Sequence, residues 1–312
     1  MKHILFITTS YLGDAIISTT ALETIRARYP EAKITIACGH IAAPIFEAFP
    51  NLESLHVMHK HPYKLHHLKL WWAICGKRWD WIVDLRGSGI SYCVSAKKRT
   101  VWKSTKNTSQ LRVQQIAALL GESTPALTKV YLSPEHRIKA KSLLPKDRAL
   151  LLLSPMASWD KKCWPPEYFL ELAQRLTKPG GLLVNALVGF LGDAKQRPQL
   201  LALLHQLPED QQLDISGNVD LLTVAACLEQ AQLFVGNDSG LMHLAAAMGT
   251  PTLGLFGPSR AEVYAPFGPK AAFIRAPLSY DEMMLAASEK GENLMHLLSV
   301  EDVLAACGRV LP

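Results

Sequence analysis

Several features that define common protein classes are missing from this chain of 312 residues. No apolar run reaches the length of about 18 residues that a transmembrane helix needs, so we expect no membrane span. The six cysteines are scattered and form no Cys-x-x-Cys pair, which favours a reduced cytosolic protein over a disulfide framework or a zinc site. The opening stretch, MKHILFITTSYLGD, predicts a first β-strand rather than a signal peptide.

The motifs of several enzyme classes are also missing. No Gly-x-x-x-x-Gly-Lys-Ser/Thr occurs, which argues against a P-loop nucleotide site. Gly87-Ser88-Gly89 follows a predicted strand, but Tyr92 stands where a dinucleotide-binding fingerprint needs its third glycine. Residues 236–240 lack the Gly-x-Ser-x-Gly order of α/β-hydrolases. No Asp-x-Asp occurs, so the carboxylate clamp of many metal-dependent sugar transferases is missing and no metal is expected.

Charge is distributed unevenly along the chain. Residues 1–150 contain 22 Lys and Arg against 10 Asp and Glu, whereas residues 151–312 contain 11 against 17. The asymmetry predicts that the first half faces an anionic partner. Nucleic acid, an anionic membrane surface and a phosphorylated substrate are all compatible with it.

Short apolar runs alternate with amphipathic segments throughout, which predicts βαβ units and parallel sheets in an α/β protein. The predicted strands are 3–8, 33–38, 54–58, 81–85, 129–132, 149–154, 182–188, 232–235, 252–256 and 271–274. The pattern restarts after a polar stretch near 147, which predicts two domains, 1–147 and 148–312. A last helix, about 299–310, begins with a capping-box-like Ser299 and Asp302.

Each half contains a strand followed by a tight polar loop and a helix, at residues 8–14 and 236–240. Such loops lie at the carboxyl ends of strands, where doubly wound sheets bind ligands, so we predict one cleft with a reacting group on each side. In the second loop, Ser239 and Gly240 open a helix whose N–H groups could bind a phosphate, and Asp238 could accept hydrogen bonds from sugar hydroxyls. Helix capping by Asp238 or Ser239 is the alternative, and His243 alone is better explained as a packed helix histidine.

Two further charged residues follow strands. Lys162, in the stretch SPMASWDKKCWPPEYF, could reach an anion held in the same cleft, or it could be a solvated loop lysine. Asp14, at the start of the first predicted helix, could act as a general base towards a bound hydroxyl. The alternative for Asp14 is a plain first-turn acid of that helix.

Five histidines lie between 56 and 67, interspersed with lysines. A metal site is one interpretation of them, but residues 60–78, with Lys60, Lys64, Lys69 and a Trp71-Trp72 pair, better suit an anionic membrane interface. A solvated basic helix with its tryptophans in the core stays open as the alternative. Nothing else in the chain resembles a reader of bases, so nucleic acid is not an expected partner.

The order and content of these loops resemble glycosyltransferase family 9, the bacterial lipopolysaccharide heptosyltransferases, over nearly the whole chain. GNDSGLMHLAAAMGTPTLGLFGPS (236–259) resembles the family's Asp-Ser/Thr-Gly-x-x-His signature and the Gly-Pro-Thr/Ser that follows it. Leu12-Gly13-Asp14 before ALETIRARYP resembles its N-terminal motif. DKKCWP (160–165) and WDWIVDLRGSG (79–89) resemble its Lys-x-Trp-Pro loop and its mid-domain strand.

The resemblance implies a GT-B fold, in which two Rossmann-like doubly wound parallel-sheet domains face a central cleft. The first would bind the acceptor and the second the nucleotide sugar, and the last helix often packs back on the first domain. It implies an inverting, metal-independent transfer without a cofactor from a nucleotide-diphosphate sugar, usually ADP-heptose. The acceptor would be a hydroxyl of the anionic lipopolysaccharide inner core, reached from the cytoplasmic face of the inner membrane.

Carried over to this chain, the resemblance makes Asp14 the general base. Donor-binding residues would be Ser158, Lys162, Asp238, Ser239, Gly240 and His243, and the lysines at 60, 64 and 69 would lie on the acceptor or membrane side. A carboxylate suits removal of the acceptor proton, and without a metal Lys162 and the helix N-terminus must stabilise the departing diphosphate.

The chain departs from the family pattern at several positions. Thr8 stands where many members have a basic residue, and Thr20 where many have a proline. The nucleoside contact falls on Asp193 or Gln196, which leaves the nucleobase and the sugar open. Other possibilities are transfer from a different nucleotide sugar, a nicotinamide-dependent oxidoreductase, and a non-catalytic glycan- or membrane-binding homologue.

Overall fold

The computed structural model describes residues 1–59, 65–103, 109–145, 147–289 and 291–311, with the backbone alone for 65–67. The chain divides into two compact units, Met1–Tyr131 and Leu132–Pro312. Each unit contains one parallel sheet of five strands. The predicted α/β class with two doubly wound sheets is therefore confirmed.

In the first unit, the strands are ordered β3-β2-β1-β4-β5. Their bounds are β1 His3–Ile7, β2 Lys33–Gly39, β3 Leu52–Met58, β4 Trp79–Asp84 and β5 Ala96–Val101; the helices are α1 Leu12–Arg28, α2 Leu65–Ile74 and α3 Arg112–Leu120. The order reverses between β1 and β4. A crevice therefore opens at the carboxyl ends of these two strands, where the chain turns to opposite sides.

The second unit has the strand order β10-β9-β8-β6-β7 and reverses between β6 and β8. Its strands are β6 Leu150–Ser154, β7 Leu187–Phe190, β8 Leu233–Asn237, β9 Thr252–Phe256 and β10 Ala271–Arg275. Its helices are α4 Pro134–Leu143, α5 Pro166–Thr177, α6 Arg197–Leu204, α7 Leu221–Leu228, α8 Gly240–Ala247, α9 Ala261–Tyr264, α10 Tyr280–Glu289 and α11 Val300–Val310.

Continuous apolar runs explain the buried strands of both sheets. Every residue of β6 is buried, as expected for a strand covered on both faces. The apolar faces of α5 and α11 pack on the second sheet around Trp164 and Phe169. Ser299 caps α11 by accepting a hydrogen bond from the Asp302 amide, as the sequence predicts.

The strand predicted at 129–132 is wrong. Val130 and Leu132 are buried as in a strand, but this segment runs along α1, where the Lys129 amide donates to Thr19 Oγ1 (3.0 Å). Conversely, β5 was not predicted because it is an edge strand with three consecutive basic residues at 97–99. Charged edge strands protect a sheet from pairing with other chains, and they lack the apolar pattern of a central strand.

The predicted strand at 182–188 is shifted, since β7 covers Leu187–Phe190. A turn through Asn185, which has a positive φ, separates the earlier apolar residues from the strand. Helix α4 belongs to the second unit, where Arg137 forms an ion pair with Glu229 (2.9 Å). The boundary at 147, a prediction from composition, falls after this helix.

Candidate functional site

The loops after β6 and β8 diverge where the strand order of the second sheet reverses. The first carries Ser158 and Lys162, and the second carries Asp238, Ser239 and the start of α8 at Gly240. Ligands of doubly wound sheets bind at such a switch point. The topology thus brings these five predicted donor residues to one end of the sheet.

A cavity of about 390 Å³ opens at this end of the second sheet. Three predicted donor residues, Ser158, Ser239 and Gly240, line it, and so do both candidates for the nucleoside contact, Asp193 and Gln196. Most of its remaining wall is apolar, formed by Met156, Leu191, Val219, Leu221, Val224 and Leu241. Small-molecule sites combine such a wall with a few polar groups in a similar volume.

One side of the cavity is the N-terminus of α8. Ser239 precedes the helix, yet its side chain makes no capping bond, and its buried Oγ has no partner among the described residues. A buried hydroxyl without a partner is costly, and here it lies beside helix N–H groups that also favour an anion. The capping alternative is therefore not realised for Ser239, and the arrangement suits a phosphate.

Lys162 and Asp238 form an ion pair, with Nζ 2.7 Å from Oδ2. The lysine side chain is 25% exposed and the carboxylate 9% exposed, so the pair lies at the edge of the interior. Lys162 is therefore not the solvated loop lysine of the alternative interpretation. The carboxylate offsets the charge of the ammonium group in this partly buried position.

His243 is almost completely buried on α8. Burial lowers the pKa of its imidazole to about 4; the nearby Asp238 carboxylate opposes this shift, and the Lys162 ammonium adds to it. The ring is consequently neutral at neutral pH and carries no positive charge for a diphosphate. Its burial agrees with a packed helix histidine, close enough to Lys162 and Asp238 to feel both charges.

Asn237 is a buried site residue that the sequence analysis did not single out. It ends β8, and its side chain accepts from the Trp164 amide (3.0 Å) and donates to the Pro155 carbonyl (2.7 Å). Both ends of the loop that carries Lys162 are thus attached to one side chain. The signal available in the sequence was only its place beside Asp238, because the contacts span 73 and 82 residues.

Asp193 and Gln196 are held at the wall of the cavity by a local turn. Asp193 Oδ1 accepts from the amides of Lys195 (2.9 Å) and Gln196 (3.0 Å). Gln196 Oε1 in turn accepts from the Asp193 amide (3.0 Å). Because these bonds fix both side chains, the turn presents a carboxylate and an amide together.

In the first unit, Asp14 lies in the first turn of α1, which starts at the switch point between β1 and β4. The side chain is half-buried. Thr8 is buried and donates to Ser18 Oγ (2.9 Å), and Thr20 donates to the Ala126 carbonyl (2.5 Å). Both threonines therefore bond within the unit, and Asp14 fits the predicted place of a base as well as that of a first-turn acid.

Asp84 organises the loop on the other side of this switch point. Its buried carboxylate accepts from the amides of Arg86, Gly87 and Ser88 and from the Ser88 hydroxyl, at 2.8–3.0 Å. Gly87 has a φ of +67°, and a Cβ there would lie 2.8 Å from the Trp102 carbonyl oxygen. The Gly-Ser-Gly stretch is thus a turn built around Asp84.

The basic segment predicted at a membrane or acceptor surface is only partly described. Lys60 and Lys64 lie outside the described residues, whereas Lys69 is exposed on α2. Leu68 and Trp72 are also exposed, the latter by 69%, but Trp71 is half-buried and donates to the Cys93 carbonyl (2.9 Å). The tryptophan pair is therefore divided between the core and the surface. No helix in the described ranges has both the length and the apolar character needed to cross a bilayer.

Histidines near α2 do not gather into a metal site within the part of the chain that the structure describes. The rings of His40 and His59 stack with centroids 5.4 Å apart. His56 is half-buried, and this burial lowers the pKa of its ring. His61 lies outside the described residues, as do the side chains of His66 and His67.

Comparison with known proteins decides between the possible classes. The profile of "Glycosyltransferase family 9 (heptosyltransferase)" matches residues 91–290, well over half of the chain. The chain belongs to this family. It is therefore a glycosyltransferase, and the resemblance in its loops is confirmed as family membership.

Individual members of the family match over nearly the full length. Lipopolysaccharide heptosyltransferase 2 of Salmonella typhimurium is 26% identical, with 92% of each chain covered. The structure of the glycosyltransferase family 9 protein from Veillonella parvula superposes with a TM-score of 0.85, at 21% identity and with 99% of this chain and 97% of that chain covered. E. coli ADP-heptose LPS heptosyltransferase II gives 0.77, at 23% identity, covering 99% and 98%. Together with the two five-stranded units, these structures establish the GT-B fold of this glycosyltransferase.

Proposed function

We propose that this glycosyltransferase moves heptose from ADP-heptose to a hydroxyl of the lipopolysaccharide inner core, with inversion and without a metal. The observation that carries the proposal is the cavity at the second switch point of a chain in the heptosyltransferase family. The start of α8 lies there, and so does the buried Ser239 hydroxyl, which has no partner among the described residues. The name of the Salmonella relative supports the acceptor, and the name of the E. coli structure supports the donor.

In this proposal, the second unit binds the donor. The apolar wall holds the nucleoside, Asp193 and Gln196 contact its polar edge, and Ser158, Ser239 and Gly240 contact the diphosphate. Lys162 leaves Asp238 for the diphosphate, which frees the Asp238 carboxylate for sugar hydroxyls. His243 supports this loop from below in its neutral form. As the glycosidic bond to the diphosphate breaks, Lys162 and the α8 N–H groups stabilise the developing negative charge.

Asp14 supplies the base. In a single displacement, the acceptor oxygen attacks the anomeric carbon from the face opposite the leaving diphosphate, so the configuration inverts. The attacking hydroxyl must lose its proton as it forms the bond, and a carboxylate against it takes that proton. The place of Asp14 on the first turn of α1, at the switch point of the other sheet, supports this role.

The proposed acceptor is an anionic lipid-linked saccharide at the cytoplasmic face of the inner membrane. The basic excess of residues 1–150 supports an anionic partner. Leu68 and Trp72, four positions apart on one face of α2, are exposed beside Lys69. Apolar and basic side chains on one helix are typical of peripheral membrane attachment, with Lys60 and Lys64 as further contributors.

Calorimetric titration with ADP, UDP and GDP, in EDTA and again with magnesium, tests the donor assignment. Selective ADP binding in EDTA is the expected result. Selective UDP or GDP binding would retain a glycosyltransferase with another nucleotide sugar and overturn the heptose assignment. Binding that needs magnesium would overturn metal independence, and no binding in either buffer would favour a non-catalytic glycan- or membrane-binding homologue.

A further inference from the structure

The loop that carries Lys162 runs from the end of β6 to the start of α5, and a single side chain holds both of its ends. Asn237 Nδ2 donates to the carbonyl of Pro155, the first residue after β6. Its Oδ1 accepts from the amide of Trp164, just before α5. A carbonyl can only accept and an amide N–H can only donate, so the opposite orientation of the Asn237 side chain would lose both bonds.

Between these two ends, the chain makes a tight turn whose geometry sets the position of Lys162. Residues Asp160–Lys162 form one turn of 3₁₀-helix, closed by the Cys163 amide on the Asp160 carbonyl (3.0 Å). The fully buried Trp164 anchors the end of the turn by donating from Nε1 to the Leu298 carbonyl (2.8 Å). Asn293 adds bonds from the exposed side, to the carbonyls of Asp160 (3.0 Å) and Cys163 (2.9 Å). The lysine therefore extends from a backbone fixed at several points.

Two neighbouring residues at the end of β8 thus hold Lys162, one through the backbone of its loop and the other through its ammonium group. Asn237 fixes the backbone of its loop, and Asp238 holds its ammonium group at 2.7 Å. Asn237 itself is completely buried, so water cannot replace its bonds. A neighbour of Asn237 also keeps the strands close: a Cβ on Gly236 would lie 3.0 Å from Ser154 Cβ at the end of β6.

We propose that Asn237 is a positioning residue, which fixes the β6–α5 loop so that Lys162 reaches the diphosphate of the bound donor. The inference rests on the proposed function, because it takes the diphosphate as the group that Lys162 contacts. Its consequence is that Asn237 contributes to donor binding through the groups that this loop carries, chiefly Lys162 and also Ser158. Loss of the amide would release both ends of the loop, and with them the lysine, from their place.

A double-mutant cycle measures this dependence directly. Asn237→Ala should weaken ADP binding by roughly 10- to 100-fold, the usual effect of losing a hydrogen bond to a charged group. Lys162→Ala should weaken it to the same degree. The double variant should bind ADP less weakly than the sum of the two single losses predicts. The proposal is overturned if Asn237→Ala binds ADP like the wild-type chain, or if the two losses add in full.

Two further variants separate positioning from folding. Asn237→Ser keeps a small polar group that cannot reach both partners, so it should also weaken ADP binding. It replaces the alanine variant in the measurement if that variant does not fold. Thr177→Val removes a buried hydroxyl that bonds Ala173 and Gln211 at the far end of α5, and serves as the matched control. It should lower the melting temperature while leaving the ADP affinity unchanged. An equal loss of ADP affinity in Thr177→Val would assign the effect to general destabilisation and overturn the proposal.

The same titrations distinguish a failure of the proposed function from a failure of the positioning role of Asn237. If the wild-type chain binds none of ADP, UDP and GDP, the proposed function fails and this inference fails with it. If the wild-type chain binds a nucleotide but the Asn237 variants bind it equally well, only the positioning role is wrong. Where UDP or GDP is preferred, that nucleotide replaces ADP in the cycle.

Discussion

At the carboxyl edge of the second sheet, Lys162 and its neighbours are held by bonds among their own side chains, whereas the first unit presents large aromatic side chains to solvent. Lys162 is paired with Asp238, and Asn237 holds the β6–α5 loop that carries Lys162. In the first unit, by contrast, Tyr11 is 71% exposed in the loop before α1, and Trp72 is exposed on α2. This difference supports the proposal that the second unit binds a small polar ligand and the first unit a larger surface.

Charge follows the same division. Residues 1–131 contain 17 Lys and Arg against 8 Asp and Glu, whereas residues 132–312 contain 16 against 19. A small anionic donor is bound by a few fixed groups, such as a helix N-terminus and one lysine, so its unit needs no overall positive charge. A large anionic acceptor or membrane is attracted by the summed field of many basic residues.

The largest expected effect comes from the first unit. Asp14→Asn removes the proposed base but keeps the size of the side chain, so turnover should fall by roughly 100- to 10,000-fold. ADP affinity should stay unchanged, because no donor contact is assigned to this residue. Steady-state kinetics with calorimetry checks both. Turnover within a fewfold of the wild-type chain, with the fold intact, would remove Asp14 from the mechanism.

The next effect is expected in the second unit. Lys162→Ala should lower turnover by roughly 100- to 1,000-fold, since one donor to a developing negative charge is lost. Unlike Asp14→Asn, it should also weaken ADP binding. If ADP affinity were unchanged, the diphosphate contact would have to be reassigned. Matched measurement of the two variants thus separates the roles of the two units.

A smaller effect should follow from Ser239→Ala, which removes the buried hydroxyl that has no partner in the described part of the chain. The variant should fold at least as stably as the wild-type chain, because an unsatisfied buried group is lost. It should bind ADP about tenfold more weakly if that hydroxyl contacts the diphosphate. Thermal melts with and without ADP measure both changes. A stabilised variant with unaltered ADP affinity would place the phosphate elsewhere.

His243 predicts a pH dependence of stability. Its unfolded-state pKa is near 6.5 and burial lowers the folded-state pKa to about 4, so the unfolded chain takes up the proton first as pH falls. Its contribution is complete above pH 6.5 and declines below it; between pH 7.5 and pH 5 the loss should be about 2 kcal/mol. Urea unfolding of the wild-type chain and His243→Gln at both pH values measures the difference. Equal pH dependence in both would show that His243 is not buried as a neutral ring.

The smallest effect is expected at the exposed face of α2. Trp72→Ala should reduce binding to vesicles that contain anionic lipid by a fewfold, since one interfacial aromatic is lost among several contributions. Turnover on a detergent-free truncated acceptor should not change. Vesicle sedimentation measures the first and ADP release the second. Unchanged sedimentation would show that Trp72 does not contribute to membrane binding.

The loops of the site were predictable because strand ends, glycines and helix starts are local features. Asp14, Ser158, Lys162 and residues 238–240 all lie at the carboxyl ends of parallel strands, as predicted. What the sequence could not provide is pairing between distant residues. The ion pair of Lys162 spans 76 residues, and no local pattern predicts it.

Errors in the fold prediction have the same origin. The segment at 129–132 has the apolar alternation of a strand but bonds to Thr19 of α1, a contact set by tertiary structure. β5 is a strand with three basic residues in succession, which tertiary pairing with β4 makes possible despite its composition. Trp71 and Trp72 are the same residue type in different environments. Their positions on α2 decide that Trp71 packs against the rest of the unit while Trp72 is exposed.

In the proposed reaction, the second unit binds an ADP-sugar and Asp14 of the first unit activates the acceptor. The measurement that tests it most directly is ADP release from ADP-heptose in EDTA, with a heptose-deficient lipopolysaccharide core as acceptor. The account predicts acceptor-dependent release by the wild-type chain and nearly none by Asp14→Asn, although both bind ADP equally. Release that is the same in both chains, or none from the wild-type chain with a nucleotide bound, would contradict it.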